Sequence, residues 1–194
     1  MTTTTTTWTC SELLRGESSK SYALIIVNQP IRSDLLEEAW KSAKITLCAD
    51  GGANRYLPDI VKGDFDSIRD DVRLYYTSHD VRVIQDKDEY STDLMKCIAE
   101  VPEDYALVLL GGLSGRVDQT VHTMSLLHKL HREIYVLDGE SFAWLLRETC
   151  GILPVGIDSA RVKTKGLKWD TENPLVTIET DRPVIWTCEI RSPL

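Results

Sequence analysis

Six short apolar runs recur along the first two thirds of the chain, and the segments between them carry apolar residues at helical spacing. Each run is rich in aliphatic or β-branched residues, as strands buried inside a parallel sheet are. The predicted strands cover residues 23–27, 45–48, 59–61, 81–84, 106–110 and 134–137. Because strands that alternate with helices form βαβ units, we predict an α/β fold in which a mostly parallel sheet has helices on both faces.

Three of the intervening segments predict amphipathic helices. In the first, Asp34 followed by Glu37 resembles a capping box. In the second, Ser91 or Thr92 is expected to cap the helix. The third is expected to start near Asp118. Its apolar stripe consists of Val117, Val121, Met124 and Leu127.

After residue 139 the pattern changes to short apolar runs separated by Gly and Pro, with no helical periodicity. Strands are predicted at residues 142–146, 176–178 and 184–190. We therefore predict two domains, an α/β domain at residues 1–138 and a small all-β sandwich domain at residues 139–194. Because so short a unit is marginal alone, we expect it to pack on the first domain or on another subunit.

Acidic residues and glycines follow most of the predicted strands. They are Asp50 to Gly52, Gly63 to Asp66, Asp86, Gly111 with Gly112, and Asp138 with Gly139. The carboxyl ends of parallel strands meet at one edge of a sheet, where open α/β folds bind ligands. Loops favour both residue types in any case, but their repetition on a single edge favours a binding site.

Two carboxylates two residues apart, Asp64 and Asp66, are the most informative pair on this edge. In an extended segment alternate side chains point the same way, so both would face one spot. Carboxylates aimed at one spot repel unless a cation lies between them, and hard oxygen ligands completed by substrate phosphates suit Mg²⁺. The pair predicts a magnesium site for a phosphorylated ligand, with a solvated acidic turn as the alternative.

The glycine pairs Gly51-Gly52 and Gly111-Gly112 each leave bare backbone N–H groups after a strand, where such groups can cradle a phosphate. Either pair could instead form only a tight turn. Neither segment matches GxGxxG or GxxxxGK[ST], so the usual dinucleotide and P-loop interpretations fail.

Further charged residues near this edge could bind a ligand, and most of them also have a purely structural interpretation. Arg116 could clamp a phosphate, and Asp118 could cap its helix or contact a ligand. Asp93 is a helix cap by default, and becomes a third metal carboxylate if its strand adjoins that of Asp64. Lys96 shares the helix face of Asp93, and could neutralise the acidic cluster, reach a phosphate or be a plain surface lysine.

Composition narrows the class of partner. The net charge of −8 argues against a nucleic-acid surface or an anionic membrane, but a bound metal and backbone N–H groups still allow an anionic nucleotide. Five cysteines without a CxxC pair indicate neither a disulfide framework nor a zinc site, so a reducing, cytoplasmic compartment is expected. No apolar run approaches the length of a membrane span.

Taken in order, these motifs resemble those of eukaryotic thiamin pyrophosphokinases, of the fungal type, from about residue 22 to the C-terminus. The matching stretches are residues 24–30 (LIIVNQP), 49–55 (ADGGANR), 63–69 (GDFDSIR), 91–93 (STD), 110–119 (LGGLSGRVDQ) and 164–170 (TKGLKWD). The resemblance implies an α/β catalytic domain followed by a β-sandwich domain. It implies transfer of a diphosphate group from ATP to thiamin, giving thiamin diphosphate and AMP, by a homodimer with active sites between subunits.

The same resemblance implies roles for individual residues. Asp64, Asp66 and Asp93 would hold Mg²⁺, and Asp118 and Gln119 would line the ATP or thiamin site. Trp169, in a polar stretch, would stack on the thiamin pyrimidine, although packing between domains explains an aromatic there almost as well. The other residues expected to contact nucleotide or substrate are Asp50, Gly51, Gly52, Asn54, Ser67, Thr92, Lys96, Gly111, Gly112 and Arg116. Either Asp93 or Asp118 could accept the proton of the thiamin hydroxyl.

The chain departs from the family pattern in four places. Glu89 stands where glutamine is expected, and the chain is short at residues 55–56, 147–151 and 174–176. The last of these replaces a segment that helps to hold thiamin in the family. Two alternatives therefore remain at this point: another Mg²⁺-dependent transferase with a DxD motif, such as a nucleotide-sugar glycosyltransferase, and a nucleotide-binding regulator without turnover.

Overall fold

Strands and helices alternate through most of the chain in the computed structural model, which describes residues 10–139, 141–146, 162–165, 177–180 and 184–189. The helices are α1 (Cys10–Leu14), α2 (Ser33–Lys41), α3 (Asp70–Thr77), α4 (Asp93–Ala99) and α5 (Val117–Lys129), with a 3₁₀ helix at Asp50–Asn54. The strands are β1 (Tyr22–Ile26), β2 (Ile45–Ala49), β3 (Ile60–Gly63), β4 (Arg82–Gln85), β5 (Ala106–Leu110), β6 (Ile134–Asp138), β7 (Ser141–Leu146), β8 (Val162–Lys165), β9 (Thr177–Thr180) and β10 (Val184–Glu189).

Eight strands form one sheet in the order β10-β7-β6-β5-β1-β2-β3-β4. The pairs among β1 to β6 are parallel, whereas β7 is antiparallel to β6 and β10 is antiparallel to β7. All six strands predicted in the first two thirds are present, with ends shifted by no more than two residues. The prediction of a mostly parallel sheet is therefore confirmed.

Both faces of this sheet are covered by helices, as predicted. All five residues of β1 are buried, and successive side chains point to opposite faces. Leu24 and Ile26 join a core cluster that includes α2 and α3, whereas Ala23 and Ile25 join a second cluster that includes α4 and α5. Burial on both sides explains why β1 is a continuous apolar run rather than an alternating one.

The predicted helices differ from the structure in two caps and in part of one apolar stripe, and one helix was missed. Asp34 and Asp118 do not cap their helices: α2 and α5 begin after Arg32 and Arg116, and neither start has a side-chain capping bond. On α5 half of the predicted apolar stripe is turned away from the core: Val117 and Val121 are exposed, whereas Leu127 is buried and Met124 packs against the core. Helix α3 was not predicted, since its sequence is mostly polar and Tyr76 is its one buried side chain.

The C-terminal part is built of strands, as predicted, within the residues that the structure describes. Strands β7, β9 and β10 lie at the three predicted runs, and β8 pairs with β9 as a separate antiparallel ladder. Gly139, with φ of 57°, connects β6 to β7, so the main sheet continues past residue 138. The domain boundary at 138/139 stays a prediction, and Trp169 and the short segments at 147–151 and 174–176 lie outside the described residues.

The buried hydroxyl group of Tyr76 stabilises the short connection at residues 55–56. The Tyr76 hydroxyl bonds to the backbone carbonyl oxygens of Ala53 and Tyr56, the latter at 2.6 Å. Burial raises the pKa of this phenol to about 12. The backbone on both sides of this connection is thus bonded to one side chain.

We expect Tyr76→Phe to lower the free energy of unfolding by about 1–2 kcal/mol, because the two carbonyl oxygens lose their buried donor. Chemical denaturation at neutral pH measures the change. Tyr75→Phe is the matched control, since Tyr75 is half exposed and its hydroxyl lies outside this pair of bonds. Equal effects of the two substitutions would contradict the assigned role of Tyr76.

None of the helices within the described ranges combines the length and apolarity that crossing a bilayer requires.

Candidate functional site

Three carboxylates meet at the carboxyl edge of the sheet. Asp50 follows β2, Asp64 follows β3, and Asp93 begins α4, the helix after β4. One oxygen from each lies within 4.8 Å of the other two. Because β2, β3 and β4 are neighbours in the sheet, the three segments that follow these strands place their carboxylates close together. The condition set for Asp93, that its strand should adjoin that of Asp64, is met.

Asp50 is the most buried of the three, with 3% of its surface exposed. Its two carboxylate oxygens accept hydrogen bonds from the backbone N–H groups of Ser67 (2.8 Å) and Ile68 (3.1 Å). Burial raises the pKa of Asp50, and these two bonds act in the opposite direction. Asp50 therefore anchors the loop after β3 as well as contributing charge, and nothing in its sequence context had marked it as a metal carboxylate.

The Asp64-Phe65-Asp66 segment is not extended, so the geometry assumed for its carboxylates is wrong. Strand β3 ends at Gly63, and Phe65 has φ of 70°, in the left-handed region that non-glycine residues rarely adopt. Asp66 instead donates its backbone N–H to Asp64 Oδ1 (3.1 Å), while its carboxylate accepts from Ser67 Oγ (2.6 Å). Asp66 lies outside the group of three, and its metal role stays a prediction.

Backbone strain is concentrated at this cluster. Among the described residues, positive φ occurs at three non-glycine positions, Asp50 (39°), Phe65 (70°) and Asp80 (56°). Two of them belong to the loops that carry the acidic cluster. Such conformations cost about 1–3 kcal/mol each and persist where the surroundings hold them, typically at functional sites.

Gly63 gives the carboxylates room to approach the end of β3. A Cβ atom added there would lie 2.7 Å from the Asp50 Cβ and 3.1 Å from the carboxyl carbon of Asp93. Real Cβ contacts are essentially never as short as 2.7 Å, so any larger residue would displace Asp50. The glycine of this motif is thus required by packing against two of the three acids.

Lys96 supplies positive charge from inside the protein. Its ammonium lies 3.1 Å from Asp93 Oδ1, and its side chain is only 2% exposed. Burial lowers the pKa of this ammonium, but the hydrogen bond to Asp93 and the charges of Asp93, Asp64 and Asp86 outweigh that effect and raise it. Of the predicted interpretations of Lys96, this geometry corresponds to neutralisation of the acidic cluster.

Thr92 caps α4, as predicted. Its hydroxyl oxygen accepts the backbone N–H of Met95 (3.3 Å) and lies 2.9 Å from His122 Nε2. Ser91, the alternative cap, donates its hydroxyl to Asp88. The default interpretation of Asp93 as the cap is therefore wrong: Asp93 lies in the first turn of α4, where the helix dipole favours a negative charge.

The segment after β2 is packed tightly against its surroundings. A Cβ at Gly51 would lie 2.4 Å from Asn28 Nδ2, and one at Gly52 would lie 2.7 Å from the Ile26 carbonyl oxygen. Asn54 Nδ2 donates to the Ser67 carbonyl oxygen (3.0 Å). In this structure these predicted ligand residues hold the acidic loops in place, and their contacts with a nucleotide stay a prediction.

The second glycine pair does not offer bare N–H groups. Gly111 donates its N–H to the Leu137 carbonyl oxygen (2.8 Å), and Gly112 donates to Gln29 Oε1 (2.7 Å). The prediction that these two groups are available to a phosphate is therefore wrong. Gln29 had not been singled out from the sequence, because its partners are more than 80 positions away along the chain.

At the start of α5, Arg116 and Asp118 pair with each other rather than with the acidic cluster. Two Arg116 nitrogens contact the two Asp118 carboxylate oxygens at 3.1 and 2.5 Å, and both side chains are exposed. The hydrogen bond from Arg116 lowers the pKa of Asp118. Gln119 is the next residue of the helix, so all three predicted residues lie together at one helix start, outside the group formed by Asp50, Asp64 and Asp93.

Two protein-family models match the chain. The model described as thiamin pyrophosphokinase, catalytic domain, matches residues 36–137. The model described as thiamin pyrophosphokinase, vitamin B1 binding domain, matches residues 133–182. The first match contains all three acids of the cluster.

Curated relatives carry the same name. Thiamine pyrophosphokinase 2 of Arabidopsis thaliana is 32% identical over 234 residues, covering 88% of this chain and 86% of the relative. Thiamine pyrophosphokinase 3 of Oryza sativa is 29% identical over 235 residues, covering 88% of each. Both aligned spans exceed the 194 residues of this chain, so these relatives contain segments that it lacks.

Solved structures share the fold. The crystal structure of yeast thiamin pyrophosphokinase has a TM-score of 0.76 at 22% identity, covering 94% of this chain and 90% of that one. Thiamin pyrophosphokinase from Candida albicans has a TM-score of 0.72 at 23% identity, covering 88% and 90%.

Proposed function

This chain belongs to the thiamin pyrophosphokinase family, and we propose that it is the enzyme which that name describes. It transfers a diphosphate group from ATP to the hydroxyl group of thiamin, giving thiamin diphosphate and AMP. The observation that carries the proposal beyond family membership is the convergence of Asp50, Asp64 and Asp93 from three loops onto one point of the sheet edge. Family membership does not favour the glycosyltransferase or the non-catalytic alternative.

Mg²⁺ is proposed as the cofactor of this cluster. The donor set fits, because three carboxylate oxygens lie within 4.8 Å of one another, with one acid buried and two partly buried. Hard oxygen donors are those that Mg²⁺ prefers. Asp64 and Asp93 belong both to this cluster and to the set predicted from the sequence, and Asp50 joins them by position. Bound there, the ion would neutralise negative charge on the transferred phosphates.

The protein residues act chiefly by placing charge. Asp93 Oδ1 is held by the Asp64 N–H (3.1 Å) and by the Lys96 ammonium, so the carboxylates are oriented before any ligand arrives. Diphosphate transfer to an alcohol needs positioning and charge stabilisation more than a covalent intermediate. Asp93 or Asp118 accepts the proton of the thiamin hydroxyl. Arg116 and Gln119 contact the nucleotide or thiamin from the start of α5.

The thiamin site and the assembly complete the proposal. Trp169 stacks on the thiamin pyrimidine, and the enzyme is a homodimer with active sites between subunits. The exposed Val117 and Val121, one turn apart on α5, support burial of this helix face against another surface.

The buried free thiols of Cys48 and Cys97 support a reducing, cytoplasmic compartment. No nucleic-acid or membrane partner is proposed for a chain with net charge of −8.

The test is an assay of nucleotide products with ATP, Mg²⁺ and either thiamin, another primary alcohol or water as acceptor. We expect AMP and thiamin diphosphate in equal amounts, and AMP formation at least about 10²-fold slower without thiamin, because water lacks the binding contacts that orient the acceptor. Chelation of the metal should abolish product formation. Release of ADP rather than AMP, or ATP binding with no product at all, would refute the assigned reaction.

A further inference from the structure

We propose that Gln29 and Asp138 are positioning residues that hold the loop between β5 and α5 in the shape that ATP binding requires. This inference rests on the function proposed above, and concerns two residues outside the acidic cluster. Gln29 lies three residues after β1, and Asp138 is the last residue of β6. Strands β1 and β6 flank β5 on its two sides, so the two side chains approach the loop from opposite directions.

Their hydrogen bonds engage successive residues of the loop. Gln29 Oε1 accepts the Gly112 N–H (2.7 Å), and Gln29 Nε2 donates to the Ser114 carbonyl oxygen (2.5 Å). Asp138 Oδ2 accepts the Leu113 N–H (2.6 Å), and Asp138 Oδ1 accepts from Ser114 Oγ (3.1 Å). Three consecutive loop residues are thus bonded to two side chains that are themselves only 8% exposed.

The backbone of the loop depends on these bonds. Gly111 and Gly112 have φ of 85° and 104°, which few other residues adopt, so the loop turns sharply as it leaves β5. A Cβ at Gly111 would lie 2.6 Å from Val27 Cγ2 and 3.0 Å from Gln29 Oε1, which shows how closely the end of β1 packs on the turn. Because buried N–H groups are costly to leave unpaired, removal of either side-chain acceptor should free the loop.

The position of this loop connects it to function. The strand order reverses between β1 and β5, and open α/β sheets bind ligands in the crevice at such a point. The loop leads directly into α5, whose start carries Arg116 and Asp118. A shift of the loop would move both residues relative to the acidic cluster, and misplacement of about 1 Å is enough to cost a large factor in binding or rate. Rigid placement of Arg116 is therefore the proposed role of Gln29 and Asp138.

Two isosteric substitutions test the role. Gln29→Glu puts a carboxylate oxygen in place of Nε2, directly against the Ser114 carbonyl oxygen. Asp138→Asn keeps one acceptor and serves as the milder change. Asp80→Asn is the control matched to Asp138→Asn, because it removes the same negative charge from an exposed residue that follows α3. Asp80 has a left-handed backbone conformation, which Asn tolerates.

Two readouts are measured below the unfolding temperature of each variant. Amide hydrogen exchange at Gly112 and Leu113 should accelerate about tenfold or more in Gln29→Glu, and less in Asp138→Asn. The KM for ATP should rise about tenfold in Gln29→Glu, with Asp138→Asn between that variant and wild type. A merely structural role would lower the folded fraction and hence the apparent kcat, but would leave KM unchanged.

An unchanged KM for ATP in both variants, despite faster exchange, would overturn the proposal, and so would unchanged exchange at both amides. If Gln29→Glu does not fold, the proposal is tested by Asp138→Asn and by the amide exchange rates of the wild-type protein. Unprotected Gly112 and Leu113 amides in the wild type would be incompatible with the proposed role. The wild-type enzyme is assayed in parallel. Absence of thiamin-dependent AMP formation by the wild type would refute the proposed function. Failure of the positioning role of Gln29 and Asp138 would instead leave wild-type activity intact, and would show only in the KM of the variants and in the amide exchange rates.

Discussion

Asp93→Asn is expected to lower the rate of thiamin-dependent AMP formation by about 10²- to 10³-fold, the size of effect that follows loss of one charge-stabilising group in a preorganised site. The amide keeps the volume of the carboxylate and can still accept the Asp64 N–H and the Lys96 ammonium. What it removes is one negative charge from the three that converge. The measurement is the initial rate of AMP formation at saturating ATP and thiamin, with the unfolding temperature recorded for each variant.

The matched control is Asp104→Asn, which removes the same charge from an exposed residue between α4 and β5. Wild-type activity is expected there, and a comparable loss would indicate a general charge effect rather than a metal site.

A second comparison separates the two candidate ligand sets. Asp50→Asn is expected to weaken the rise in unfolding temperature that Mg²⁺ causes, whereas Asp66→Asn should leave most of it, and the reverse result would favour the set predicted from the sequence.

Lys96→Met is expected to lower the free energy of unfolding by about 2 kcal/mol without Mg²⁺, because three converging carboxylates lose the ammonium that neutralises them. Breaking a buried ion pair typically costs more, but Asp93 is partly exposed and water will screen it. The divalent ion should then replace the missing charge. We therefore expect Mg²⁺ to raise the unfolding temperature of Lys96→Met by more than it raises that of the wild type.

Lys87→Met is the control for this experiment. Lys87 is exposed in the loop between β4 and α4, so its substitution removes the same charge close to the site without opening a buried pair. Its unfolding temperature, with and without Mg²⁺, should follow that of the wild type. An equal response of Lys96→Met and Lys87→Met to the ion would show that Lys96 does not neutralise the acidic cluster.

Most of the sheet was predictable because strands such as β1, β5 and β6 are buried on both faces. A strand such as β1 must be apolar at every position, and that requirement is visible in the sequence without knowledge of its neighbours. Helix α3 was missed for the converse reason. It buries a single side chain, Tyr76, so its periodicity is too weak to distinguish it from a polar loop. Strands β7, β9 and β10 were indicated by similar apolar runs, whereas β8 and the sheet partners of these strands were not.

The candidate site was predictable in its residue types and in its location at the carboxyl ends of the strands. Asp64 and Asp93 were indicated as metal ligands and do converge. Asp66 was grouped with Asp64 on the assumption of an extended segment, which the left-handed Phe65 rules out. Asp50 was expected to contact nucleotide, and no local pattern could show that its carboxylate would reach the loop after β3.

By itself, the sequence determined that the protein has a parallel sheet and that acids and glycines gather along one of its edges, because both properties follow from local order: apolar runs, and the residues that end them. Only the tertiary structure decided which of those residues meet. Asp50 joins Asp64 and Asp93 because β2, β3 and β4 are neighbours, and Gly112 and Leu113 are bonded to side chains 83 and 25 positions away. Such contacts depend on strand order and on individual backbone angles, which hydrophobic periodicity does not encode.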